Sequence, residues 1–174
     1  LAERLGPAAF AELKNDFFYA LAEPVLETEG EVAGYVGDEA MLTWRRAAGL
    51  RDANWLRCFL LLHEGIGREA ERFRARYGTV PSFKAGAHVG AVVTAQVGDL
   101  KRELAYSGDA VNTAARIEGA CRELGLPLLA SDALVRATPL PDAVRAVPVG
   151  AVSLRGKGAP VELWSLELGV TARA

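Results

Sequence analysis

Asn112 and Arg116 stand four residues apart in the stretch ELAYSGDAVNTAARIEGACR, residues 103–122. On a helix that spacing puts two side chains on one face, one turn apart. Arg offers a planar fork of donors that matches phosphate, and a carboxamide both donates and accepts. The pair therefore suits an anionic substrate; a solvated Asn and Arg on an ordinary amphipathic helix is the other reading of the same window. A second candidate is Asp38, at the tip of the hairpin pattern EVAGYVGDEAMLTW, residues 31–44. A carboxylate there is held rigidly beside apolar strands, although Asp is also common in turns for turn chemistry alone. A third is the basic turn Arg155-Gly156-Lys157-Gly158. Backbone N–H groups and cations in such a turn can approach a phosphate closely, and a plain hairpin with exposed charges is the alternative.

The elements that must position these residues follow from periodicity. Residues 7–29 read as one amphipathic helix, with Pro7 in its first turn, Phe10, Leu13, Phe17, Leu21 and Val25 on its apolar face, and Pro24 as an internal irregularity. The 31–44 hairpin follows. Residues 45–49 read as a linker and 50–77 as one long helix ended by Gly78, weakened locally by Gly65 and Gly67. His63 sits near its apolar stripe and reads as a core or boundary residue. Residues 82–97, SFKAGAHVGAVVTAQV, read as two strands around Gly90. A strand at 103–107 leads into a helix at 109–124, opened by Asp109 as cap, with Ala110, Ala114, Ile117, Cys121 and Leu124 toward a core. A strand at 126–130, a brief helix capped by Ser131, strand pieces at 144–149 and 152–154, and a final strand through Val161, Leu163 and Leu166 complete the chain. Hairpin signals outnumber crossover signals. The expected class is α+β, a largely antiparallel sheet with helices packed on it.

The totals bound the rest. A chain of 174 residues fits one domain with a real core. A net charge of −2 gives no global basic signature for nucleic acid. Cys58 and Cys121 both fall in helical patterns and read as buried free thiols. His88 has no second His or Cys at metal spacing, which argues against zinc. No apolar run reaches membrane-spanning length and no signal peptide is visible. The start at Leu1, without Met, reads as a piece of a longer protein.

Taken together, YVGDEAMLTW, FKAGAHVG, YSGDAVNTAARIEGAC and LRGKGAPVELWSL, in this order, resemble the catalytic domain of the class III nucleotide cyclases. The resemblance spans nearly the whole chain, and Gly-Asp followed by VNTAAR is its most specific part. It implies a ferredoxin-like α+β domain that works as a homodimer, with sites at the interface. It implies conversion of a nucleoside triphosphate to a 3′,5′-cyclic monophosphate and pyrophosphate with two Mg²⁺ or Mn²⁺ ions. Asp38 matches a metal-binding aspartate, Asn112 the residue that orients the nucleoside, and Arg116 the arginine that stabilises the transition state. Arg155 matches a residue that binds the terminal phosphates, with Lys157 as a helper. The family's first strand, with the other metal aspartate, is expected just before Leu1. Residues 1–174 are then a single catalytic domain without that strand, and an upstream or fused regulatory domain is expected.

At the base-recognition positions the chain departs from the family. Adenylate-forming members pair a Lys with an Asp or Thr, and guanylate-forming members use Glu and Cys. The matching residues here are Gly34 and Ala105, neither of which can hydrogen-bond a base through its side chain. The substrate expected is ATP, the commoner one among bacterial members, with guanylate cyclase as an alternative. A non-catalytic module that binds nucleotide or only dimerises is a second alternative. A cyclic dinucleotide synthase on a related fold is a third, disfavoured because this hairpin reads VGDEA. The expected location is the cytoplasm, or the cytoplasmic side of a membrane-attached protein.

Overall fold

The computed structural model describes residues 2–98, 103–154 and 158–168. They fall into two compact units. One holds the residues up to Gly49 together with Asn54–Ser82, and the other holds Leu50–Ala53 and the residues from Phe83 onward.

The first unit opens with a short helix, α1 (Ala2–Leu5), and then α2 (Pro7–Glu27). Leu13, Leu21, Pro24 and Val25 are the buried residues of α2. Pro24 brings no backbone N–H to α2, so the helix lacks one internal hydrogen bond there. The Pro24 carbonyl stays fully used, accepting from the Thr28 backbone N–H at 3.2 Å and from Thr28 Oγ1 at 2.7 Å. The chain then forms β1 (Glu31–Val36) and β2 (Glu39–Thr43), an antiparallel hairpin turned by Gly37-Asp38 as the sequence predicts. Gly37 has φ 65°, the left-handed backbone that tight hairpin turns require at their first position. A bulge lies between Val32 and Gly34. Trp44 fastens the base of the hairpin to the end of α2, its Nε1 donating to the Thr28 carbonyl at 3.0 Å.

Beyond the hairpin the structure departs from expectation. The expected linker 45–49 falls largely in helix α3 (Arg46–Leu50), which is followed by a 3₁₀ turn at Arg51–Ala53, α4 (Asn54–Arg68) and α5 (Ala70–Tyr77). The predicted helix 50–77 is broken at its start, where Asp52 and Ala53 take φ 49° and 52°. Asn54 makes the break affordable in hydrogen bonds: its Nδ2 donates to the Ala48 carbonyl at 3.0 Å. Asp tolerates left-handed backbone, but helical periodicity runs straight through it and hides the break. His63 is exposed, not core, with its ring 6.4 Å from that of Phe59. α5 ends as predicted at Gly78, φ 67°. It is tied to α2 through Asp16, whose Oδ2 accepts from Tyr77 Oη at 2.9 Å and from Arg72 and Arg76 at 3.1 Å each. Burial opposes charge on Asp16, yet these donors and the two guanidinium charges outweigh it and hold its carboxyl below the ordinary value.

The second unit runs β3 (Ala85–Ala87), β4 (Val93–Val97), β5 (Glu103–Ser107), α6 (Asp109–Leu124), β6 (Leu128–Ser131), α7 (Asp132–Ala137), β7 (Val144–Val152) and β8 (Val161–Leu168). Its four-stranded sheet has the order β3-β6-β8-β7. β3 and β6 are parallel and the other pairs antiparallel, so α6 lies within a crossover connection. β4 and β5 pair with each other in a separate antiparallel hairpin. Ile117, Ala120 and Cys121 of α6 meet Leu129, Leu154 and Leu163 in the core. β7 is one strand, where the sequence suggests two. Pro148 is accommodated on the sheet's edge strand, and the register shift between Pro148 and Gly150 absorbs the interruption. Ser131 caps α7 as expected, accepting from the Leu134 N–H. No described helix is long and apolar enough to cross a membrane.

Candidate active site

α6 carries the Asn112–Arg116 pair, and its placement rests on close backbone approach. A Cβ on Gly86 of β3 would lie 2.2 Å from Glu118 N and 2.5 Å from the Ala114 carbonyl oxygen. A Cβ on Gly90 would meet that of Ala110 at 2.8 Å, and one on Gly108 would meet the Ala91 carbonyl oxygen at 2.9 Å. Glycine at these positions lets α6 settle directly on β3 and the loop after it. In the sequence Gly90 reads only as a strand break, and periodicity does not single out Gly86. The spacing GAHVG was a usable signal, since an isolated glycine in a strand pattern often marks a close backbone approach.

The helix start differs from prediction in one respect. The cap residue is Gly108, at φ 144°, and no side chain caps the end. Asp109 sits one position further on, because the contact with Ala91 leaves no room for a side chain at 108. It still places an acidic group in the first turn, where the helix dipole favours it. The buried stripe of α6 is Ala110, Thr113, Ile117, Ala120 and Cys121. Leu124, predicted to face the core, is 45% exposed in the last turn before Gly125. Thr113 can be buried because its Oγ1 donates to the Asp109 carbonyl at 2.7 Å, inside the helix. With that stripe inward, Asn112 is exposed and Arg116 half-buried, one turn apart as the sequence requires.

Gly34 and Asp38 belong to the β1–β2 hairpin of the first unit. Asp38 is exposed in the turn. Gly34 follows the bulge opposite Met41, and a Cβ there would meet nothing within 4 Å. Ala105 is half-buried on β5, paired with Ala95. Arg155 and Lys157 lie outside the described residues.

Among the described residues no three His, Cys, Asp or Glu are grouped to hold a metal ion. A carboxylate in a polar turn is nonetheless the donor that Mg²⁺ or Mn²⁺ uses, because such ions complete their shells with water and phosphate oxygens. Asp38 fits that pattern. The two cysteines are free and buried. Burial raises both thiols to about 11, against hydrogen bonds that lower them only in part. Both are buried free thiols, as the sequence predicts.

No family model matches the chain. It is 39% identical over 169 residues to "Adenylate cyclase 2" of Rhizobium meliloti (strain 1021), a match that takes in 97% of this chain and 47% of that protein. The chain thus spans less than half the length of that relative. Among solved structures, the adenylyl cyclase CyaB from P. aeruginosa is similar with a TM-score of 0.79 at 18% identity, over 95% of this chain and 86% of that one. The guanylyl cyclase Cya2 is similar with a TM-score of 0.77 at 19% identity, over 99% and 87%. The fold was expected from the motif order, and sequence relatives and structural neighbours agree on it: this chain has the fold of a class III nucleotide cyclase catalytic domain.

Proposed function

We propose that the chain is the catalytic domain of an adenylate cyclase, converting ATP to 3′,5′-cyclic AMP and pyrophosphate as a homodimer. The observation that carries this reading is the Asn112–Arg116 pair, displayed on a helix whose opposite face is locked onto β3 through Gly86. The 39% identity to a protein named adenylate cyclase supports it.

In the proposed reaction the ribose 3′-hydroxyl attacks the α-phosphorus in line, the new O–P bond closes the ring, and pyrophosphate departs. Arg116 neutralises the charge that grows on the equatorial phosphate oxygens. Asn112 orients the nucleoside, which fixes the attack geometry. Arg155, with Lys157, binds the terminal phosphates and stabilises the leaving group. Asp38 would be one of the groups that hold Mg²⁺ or Mn²⁺, two ions per site, and such ions would lower the hydroxyl pKa and offset the leaving charge. The exposed Val93, Val97 and Leu104 of the β4–β5 hairpin are the kind of apolar surface a second copy covers. The domain belongs to a longer protein with a regulatory part and works on the cytoplasmic side, where ATP is available.

Gly34 and Ala105 favour a second reading, in which the base is selected loosely or GTP is used. Incubation of the complete protein with ATP or GTP and Mg²⁺ or Mn²⁺, with products separated against cyclic nucleotide standards, tests both. Cyclic AMP alone supports the first reading. Cyclic GMP, or both products, supports the second. No cyclic product from a verified dimer overturns the catalytic assignment.

A further inference from the structure

The tip of the β1–β2 hairpin is gripped from α2. In a two-residue hairpin turn the first turn residue's carbonyl lies outside the strand ladder and is open to a donor from elsewhere in the chain. Here the Lys14 ammonium supplies it, Nζ donating to the Gly37 carbonyl at 3.1 Å across 23 positions of sequence. One turn further along α2, the Phe18 ring lies 4.3 Å from the Tyr35 ring, centroid to centroid. Lys14 and Phe18 are an i, i+4 pair on the helix, and they hold two residues of the hairpin that are two apart. The Gly37 carbonyl belongs to the peptide that joins Gly37 to Asp38. Holding that peptide plane helps set the direction in which the Cα–Cβ bond of Asp38 leaves the turn, and Gly37, at φ 65°, brings no side chain of its own to hold it.

We propose that Lys14 is a positioning residue for Asp38, acting through the Gly37 carbonyl to hold the carboxylate ready for a divalent cation. The proposal rests on the cyclase reading of Asp38. Phe18 serves the same end by packing, and α2 thereby becomes the element whose position Asp38 follows.

The test is Mn²⁺ binding to the complete protein, read by water-proton relaxation in the presence of a non-cyclisable ATP analogue. Asp38→Ala serves as the reference for loss of the site, and Lys14→Met and Lys14→Arg are the variants. Loss of a direct outer partner of a metal ligand typically weakens binding about tenfold or more; Lys14 acts one peptide further out, so Lys14→Met should weaken Mn²⁺ binding by less, about threefold. Lys14→Arg, which keeps a donor on a similar stem, should recover most of it. A purely structural role would instead lower the melting temperature of Lys14→Met and leave Mn²⁺ binding as in the wild type, and that result overturns the proposal. So does equal weakening by Met and Arg. Wild-type protein that binds Mn²⁺ through Asp38 but yields no cyclic nucleotide would remove the cyclase reading and leave the Lys14 comparison intact. Wild-type protein that binds no Mn²⁺ overturns the proposal.

Discussion

Gly86 on β3 lies against Glu118 on α6 with no room for a methyl group: an added Cβ would stand 2.2 Å from the Glu118 backbone nitrogen. The neighbour is helix backbone, which cannot rotate away as a side chain would. Gly86→Ala should therefore push α6 off the sheet. Overpacking of this kind costs about 1–3 kcal/mol, measurable as a lowered urea midpoint. Because α6 carries Asn112 and Arg116, cyclase turnover should fall with it. An unchanged midpoint would mean that α6 does not rest on Gly86 as described.

Arg116→Ala removes the cation proposed to meet the transition-state charge. Turnover should drop by about 10² or more while the circular dichroism spectrum remains that of the folded protein, since Arg116 is not part of the core stripe. Wild-type turnover in this variant would take Arg116 out of the reaction.

Asp38 and Arg116 are proposed to reach one site from different chains of a dimer. Asp38→Ala and Arg116→Ala should each be inactive alone. Mixed and allowed to exchange subunits, they should regain activity, because each heterodimer assembles one intact site. Heterodimers that form and stay inactive would count against a shared site.

Cys58 and Cys121 should resist iodoacetamide at pH 8 in the native protein and react on unfolding, since both are buried and burial raises both thiols to about 11. The sign for stability follows from linkage. The folded state holds these protons more tightly than the unfolded chain, whose thiols titrate near their ordinary value of 9.0. Their contribution is complete below pH 9.0 and is lost as pH rises toward 11. Cys58→Ser and Cys121→Ser variants should show a shallower loss of stability over that window in urea titrations.

The boundaries that the sequence missed share a cause. Asp52 and Ala53 adopt left-handed backbone inside a run with unbroken helical periodicity, and only the Asn54 bond to Ala48 shows where α3 closes. Pro148 and Gly150 look like a strand ending, and only pairing with β8 reveals one strand with a shifted register. Leu124, expected toward the core, is exposed and Thr113 is buried instead, because the inward stripe of α6 is set by the helix's rotation on β3, which local hydrophobicity does not report.

By itself the sequence determined the local elements on which the proposed site residues sit: the Gly37-Asp38 turn, the helix with Asn112 and Arg116 one turn apart, and the order of motifs that points to the cyclase fold. These depend on turn propensity and helical spacing, which are properties of neighbouring residues. Tertiary structure alone decided what holds those elements in place. Gly86 needs its small size only because α6 returns across β3, and Lys14 meets Gly37 only because α2 packs beside the hairpin. Contacts between residues so far apart in the chain leave no periodic trace in it.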